Sequence, residues 1–276
     1  MLRNRRSGAG RTAWRAVLAV LVMAGVPGLA AAAEVELVSR APWRRAPDTA
    51  GAGHPLGRSP LSADGRYFAY GSDASNLVPG QIDPNAGTDV FLYDRLQGTT
   101  ALVSHVSGSP GTTGDDRSHD PVISADGRYV AFVSQARNLV PGLENALPGR
   151  TNVFLYDRAT GKITLASRRA GSGEAANGFS MNPFLSADGS YLGFNSSATD
   201  LVSGQLGNHT GLNVFLVERA SGATTLVSRR GSSAVEPGNS EATRPVLGGA
   251  VLGLALAPCL SPAEVLLLYR KHMQIA

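Results

Sequence analysis

Two sets of residues in this chain have the types and the spacing that could bind a ligand. The first is a loop in which oxygen-bearing side chains alternate, Asp83-Pro84-Asn85-Ala86-Gly87-Thr88-Asp89. Calcium prefers oxygen ligands, and a glycine permits the sharp turn that such a loop needs. The corresponding loops further along the chain, 144–152 and 208–213, keep few of these side chains. The sequence therefore favours an ordinary polar turn, with calcium as the alternative and Asp83, Asn85 and Asp89 as its candidate ligands.

The second set is basic. Four times along the chain, a serine that ends an apolar segment is followed by a basic residue, and two of the four are extended by Arg169 and Arg230. Acidic side chains in the same connecting loops dilute this charge, namely Asp115, Asp116 and Glu174. Binding residues are often carried by loops on a rigid scaffold, so the pattern indicates a site for an anionic ligand. The alternative is a rim of charged side chains that only contact solvent. The four candidate ligand-binding residues are Arg40, His105, Arg168 and Arg229.

Motifs of the common enzyme classes are absent from the sequence. It contains no Gly-x-Ser-x-Gly, no His-Glu-x-x-His, no P-loop and no Gly-x-Gly-x-x-Gly. The five histidines are scattered, and His119-Asp120 has no nucleophile at a suitable spacing. The single cysteine, Cys259, excludes an internal disulfide. We therefore expect a protein that catalyses no reaction and, calcium apart, needs no cofactor.

A segment that recurs every 62 residues must position these groups. The motif Ser-Ala-Asp-Gly-x-Tyr begins at Ser62, Ser124 and Ser186. A fixed period of this length indicates stacked copies of one supersecondary unit. Such a scaffold determines how a surface is built, but it does not determine which ligand that surface binds.

Each copy is predicted to contain four β-strands. In the second copy the strands are Pro121–Ser124, Tyr129–Ser134, Asn152–Asp157 and Lys162–Ser167. The first two are joined by an Ala-Asp-Gly turn, since Asp and Gly tolerate the positive φ that tight hairpins need. No segment between residues 34 and 245 has a helical periodicity, so the sequence predicts an all-β fold. Matching third and fourth strands in the other copies are Asp89–Asp94, Thr99–Ser104, Asn213–Glu218 and Ala223–Ser228.

Four antiparallel strands per copy describe the blade of a β-propeller. The repeat, with its later Asp/Asn-Val-Phe-Leu segment, resembles the TolB-like (WD40-like) propeller repeats of exported bacterial proteins, over residues 34–247. The resemblance implies a non-catalytic interaction module that binds a protein, a peptide or an envelope glycan through the face that carries its long loops. The alternative is a propeller domain of, or associated with, a peptidase or other hydrolase whose catalytic part is missing here.

Residues 1–33 are predicted to be a signal peptide, with an uncleaved anchor as the alternative. A leader with five arginines precedes the short apolar run Ala16–Val26, and Ala31-Ala32-Ala33 offers a cleavage site. The leader holds five of the 25 Lys and Arg and none of the 21 Asp and Glu, so the remainder has a net charge of −1. This charge removes the electrostatic support for a nucleic-acid partner. We expect a periplasmic or secreted protein.

The repeat region begins and ends within a blade. Glu34–Ser39 matches a fourth strand, and Arg244–Leu247 matches the start of a fourth copy. Three complete blades plus partial strands are fewer than the roughly four to eight of a closed propeller, so we expect an incomplete or open one. The apolar tail 248–276 departs from the repeat, and three interpretations stay open. It is a reading-frame artefact, a cap on the open blade, or a membrane anchor formed by 246–268.

Overall fold

The four-stranded unit expected from the repeat is present three times in the part of the chain that the structure describes. The computed structural model describes residues 55–56, 61–143, 148–206, 211–238 and 242. Within these residues every regular element is a β-strand, and the strands form three four-stranded antiparallel sheets and one short hairpin. Consecutive strands are neighbours in each sheet, which is the arrangement of an up-and-down propeller blade. The fold is therefore an all-β, incomplete β-propeller, as the sequence predicts.

Blade 1 contains β1–β4, blade 2 contains β7–β10 and blade 3 contains β11–β14, while β5 and β6 pair with each other between blades 1 and 2. The strands are β1 Pro55–Leu56, β2 Tyr67–Ser72, β3 Asp89–Asp94, β4 Thr99–Leu102, β5 His105–Val106, β6 Ser109–Thr113, β7 Ser118–Ile123, β8 Tyr129–Ser134, β9 Asn152–Asp157, β10 Lys162–Leu165, β11 Ser180–Leu185, β12 Tyr191–Ser196, β13 Asn213–Glu218 and β14 Thr224–Leu226.

The two central strands of each blade are confirmed, and the outer strands differ at their ends. β8 and β9 have the predicted bounds, as do β3 and β13. The first strand of blade 2 begins at Ser118 instead of Pro121, because a bulge between His119 and Val122 lets the pairing continue. The fourth strands are shorter than predicted, and the β5–β6 hairpin was not predicted. The proposed leader 1–33, the segments Glu34–Ser39 and Arg244–Leu247, and the tail 248–276 lie outside the described residues.

The hydrophobic core lies between successive blades. One buried cluster joins Tyr67 and Leu92 of blade 1 to Phe132 and Phe154 of blade 2. A second joins residues of blade 2, such as Tyr129, to residues of blade 3 that include Phe194 and Phe215. Because neighbouring blades bury each other's apolar faces, stability depends on stacking. In the described part of the chain no helix is long and apolar enough to cross a membrane.

Candidate functional site

The short turns of all three blades meet on one face of the molecule and have a structural role. Ser124 donates its hydroxyl hydrogen to Asp126 at 2.5 Å, and the same Asp126 oxygen accepts the backbone N–H of Arg128 at 2.9 Å. Two serine hydroxyls that donate to Asp188 in the equivalent turn lower the pKa of its carboxyl to about 2. In these turns the glycines adopt a positive φ and the aspartates do not. The aspartates cap the turns through side-chain bonds instead.

The longer connections meet on the opposite face, which we call the long-loop face. It consists of the loops between the fourth strand of one blade and the first strand of the next, and of the loops between the second and third strands. Asp115 of the first kind binds the backbone of Arg137, of the second kind, at 2.7 Å. Between blades 2 and 3, Arg169 contacts Asp200 at 3.0 Å and Glu174 at 3.2 Å. These bonds hold the loops in fixed relative positions.

The four basic candidates have different environments. His105 is only 7% exposed, and its ring meets the edge of Tyr156 with the centroids 6.1 Å apart. Arg168 is exposed, Arg229 is half-buried, and Arg40 lies outside the described residues. His105 is buried because the ring of Tyr156, in blade 2, packs against it. Among the described residues, the expected ring of positive charge therefore narrows to Arg168 and Arg229.

A cavity of about 600 Å³ opens beside Arg168, at the outer rim between blades 2 and 3. One guanidinium nitrogen of Arg168 donates to the carbonyl oxygen of Gly222 at 2.9 Å. No acidic partner for Arg168 is found in the described part of the chain. The site thus combines a positive charge that has no acidic partner among the described residues with an open pocket at the surface. Its lining comprises residues 168–173, 201–203 and 222–224.

The three candidate calcium ligands lie close together and already make contacts within the protein. Asp83 accepts the N–H of Ala86 at 3.0 Å and the Thr113 hydroxyl at 3.2 Å. The Asn85 amide nitrogen donates to the carbonyl of Gly114 at 2.6 Å, while its oxygen accepts the N–H of Gly87. These are the bonds of a polar turn. A calcium role for this loop stays a prediction.

Asp89 is the exception among these ligands, because one of its oxygens has no partner. The side chain is only 1% exposed; Ser104 donates to Oδ1 at 2.9 Å, and Oδ2 is buried without a hydrogen bond. Burial raises the pKa of this carboxyl to about 8, the bond from Ser104 opposes the rise, and the nearby charge of Asp83 adds to it. The equivalent residues are Asn152 and Asn213, whose side-chain oxygens accept the same serine bond. Asp89 therefore behaves as a buried group that favours the neutral form.

The first strands of blades 2 and 3 share a feature that was not predicted from the sequence. Asp120 and Asn182 occupy equivalent bulges and both have a φ of 52°, which is uncommon for residues other than glycine. His119 contacts Asp120 at 3.1 Å. In the described part of the chain there is no group of three or more His, Cys, Asp or Glu side chains that could hold a metal ion. The sequence does carry a signal for this feature, because Asp120 is followed 62 positions later by Asn182.

Comparison with protein-family models gives no match, and no curated protein matches either. Solved structures to which the chain is similar include TolB from Acinetobacter baumannii, at 13% identity over 71% of this chain and 35% of TolB, with a TM-score of 0.39. An oligogalacturonate lyase from Vibrio parahaemolyticus has 13% identity over 63% of this chain and 41% of the lyase, with a TM-score of 0.37. The tricorn protease has 13% identity over 69% of this chain and 16% of the protease, with a TM-score of 0.38. The chain thus spans less than half of each of these proteins.

Proposed function

We propose that this chain is a binding scaffold of the bacterial cell envelope, periplasmic or secreted, that holds a protein, peptide or glycan partner and catalyses no reaction. The observation that carries the proposal is the cross-bracing of the long-loop face. Arg169 joins its own loop to the β12–β13 loop through Asp200, and Asp115 joins two other loops through the backbone of Arg137. Loops that are ordered before binding lose less conformational entropy when a partner docks.

The charge distribution supports the same proposal. Arg168 is exposed and has no acidic partner among the described residues, whereas Arg169 beside it is neutralised by two carboxylates. The export signal read from residues 1–33 supports a location in the periplasm or outside the cell. The leader's five arginines account for the net positive charge of the whole sequence, so a nucleic acid is not the proposed partner.

Site-specific photo-cross-linking in the cells that make the protein tests this proposal. A benzophenone amino acid replaces Ser107 in the β5–β6 hairpin of the long-loop face or Gln97 in the short β3–β4 turn of blade 1, both of which are exposed. Ser107 should give a discrete cross-linked species, and Gln97 should not. Equal cross-linking from both positions, or none from Ser107, would contradict the proposal. Cross-linking from Ser107 to a hydrolase polypeptide would support the alternative of a propeller domain associated with a hydrolase.

A further inference from the structure

The sizes of the side chains at the blade junctions explain the cavity beside Arg168. Blade 2 presents Tyr156 and Ile163 to blade 1, while the equivalent positions of blade 3 are Val217 and Thr224. Tyr156 and His105 together close the junction between blades 1 and 2. The smaller residues of blade 3 leave a volume of about 600 Å³ unfilled.

Polar groups with spare hydrogen-bonding capacity line this volume. The guanidinium of Arg168 uses one of its nitrogens for Gly222 and presents its remaining donors beside the cavity. The hydroxyls of Ser203 and Thr224 have no hydrogen-bond partner among the described residues, and the buried Leu201 also contributes to the lining. A guanidinium fork matches a carboxylate in shape and charge. The lining therefore fits a ligand that carries a carboxylate.

The backbone of Thr224 adds a second recognition element. β14 is the outermost strand of blade 3, and its register with β13 pairs Val217 with Thr224. The N–H of Glu218 donates to the carbonyl of Ala223, so Ala223 belongs to a hydrogen-bonded pair and the next residue, Thr224, does not. In an antiparallel pair the groups of such a residue point away from the partner strand. The N–H and C=O of Thr224, a residue that lines the cavity, thus point outward from the edge of the sheet.

We propose that this cavity binds an extended peptide segment, which adds to the edge of blade 3 at Thr224 and places a carboxylate on Arg168. Addition of a strand to an open sheet edge supplies affinity through backbone bonds, and a pocket beside the edge supplies specificity. The inference rests on the proposed binding function. It narrows the partner to a peptide and places the contact at the outer rim between blades 2 and 3.

Fluorescence anisotropy with the full chain tests the inference. The probe is a short labelled peptide of alternating threonine and valine that contains one glutamate; its partner probe has glutamine instead. The glutamate peptide should bind at least about tenfold more tightly, because a charge-assisted pair contributes more than a neutral hydrogen bond. Glucuronate is added as a competitor to test whether the carboxylate that binds Arg168 belongs to a sugar instead of a peptide. Competition by glucuronate at concentrations at which free glutamate has no effect would overturn the peptide assignment.

Matched variants locate the contact. Arg168→Ala should weaken binding of the glutamate peptide about tenfold, while Arg229→Ala, at the equivalent position one blade further on, should not. Thr224→Pro should abolish binding, since it removes an outward N–H that the sheet does not use, and Thr224→Val should retain most of it. Equal binding of both peptides, or unchanged binding by Arg168→Ala, would overturn the inference. If the peptide inference fails in this way, cross-linking from Ser107 that persists in Arg168→Ala would still support the proposed binding function.

Discussion

At the scale of single residues, Asp89 makes the stability of the protein depend on pH. The ordinary pKa of an aspartate is about 3.9 in an unfolded chain, and burial raises it to about 8 in the folded protein. The folded state therefore keeps a proton that the unfolded state loses between these two values. The contribution of Asp89 to the free energy of unfolding is full below about pH 4. It declines as the pH rises toward 8, by up to about 1.4 kcal/mol per pH unit.

We predict that Asp89→Asn removes this decline. Asparagine keeps an oxygen for Ser104, as Asn152 and Asn213 do for their own serines, and it carries no ionisable group. Urea unfolding in EDTA should give the variant a free energy of unfolding several kcal/mol above that of the wild type at pH 8, and a smaller difference near pH 5. The reverse exchange, Asn152→Asp, is the matched control and should introduce a decline with pH in blade 2. Parallel stability profiles for wild type and Asp89→Asn would contradict the prediction.

Asp89 also provides the test of the calcium prediction. If Asp83, Asn85 and Asp89 bind calcium, the ion would satisfy the unpaired Oδ2 of Asp89 and stabilise the folded state by mass action. Added Ca²⁺ should then raise the melting temperature of the wild type, and Asp89→Ala should abolish the shift. The Asn152→Ala variant, altered at the equivalent position of blade 2, should keep it. An unchanged melting temperature of the wild type in millimolar Ca²⁺ would end the calcium hypothesis.

At the scale of the strands, one cross-strand pair shows how a blade tolerates changes between copies. Val122 pairs with Ala131 in blade 2, and Phe184 pairs with Gly193 in blade 3. A Cβ atom on Gly193 would overlap the ring of Phe184. The larger residue on β11 is thus accommodated by the smaller one on β12.

We predict that Gly193→Ala destabilises the protein by about 1–3 kcal/mol, although alanine occupies this place in the other blades, because the core would be overpacked. The double variant Phe184→Val with Gly193→Ala should lose less stability than the sum of the two single changes. Urea unfolding of all four proteins forms a double-mutant cycle whose coupling energy should be about 1–2 kcal/mol. The opposite double exchange in blade 2, Val122→Phe with Ala131→Gly, provides the control. Additive effects would show that the two side chains do not compensate each other.

The strands could be predicted from the sequence, whereas the cavity could not. Alternating apolar residues and a repeated Asp-Gly turn are local signals, so β8 and β9 were located to the residue. The burial of His105 depends on Tyr156, which lies 51 positions further along and reaches it only when blade 2 stacks on blade 1. The β5–β6 hairpin contains Ser109, Pro110 and Gly111, which have low strand propensity, and it forms because the chain must turn between blades.

At the scale of the whole molecule, the blades are joined by one contact pattern that occurs twice. Arg158 of blade 2 lies over the ring of Tyr67 of blade 1 at 4.1 Å, and Arg219 of blade 3 lies over Tyr129 of blade 2 at 4.3 Å. Backbone bonds of 2.8 Å connect the short turns of successive blades, from Ala63 to Ala125 and from Ala125 to Ala187. Each joint thus links a tyrosine of one blade to the turns of the next.

We predict that Arg158→Ala destabilises the protein more than Arg95→Ala does, by about 0.5–2 kcal/mol, which is the range of cation–π contacts. The two arginines are equivalent: Arg95 donates to the carbonyl of Gly65 as Arg158 donates to that of Gly127. Of these two arginines, only Arg158 also covers a tyrosine ring among the described residues, so the comparison isolates the contact between blades. Urea unfolding of the full chain gives the two free energies, and Tyr67→Leu should reduce the difference between them. Equal losses from both arginine changes would mean that the apolar core and backbone bonds, without the Arg–Tyr contact, hold the blades together.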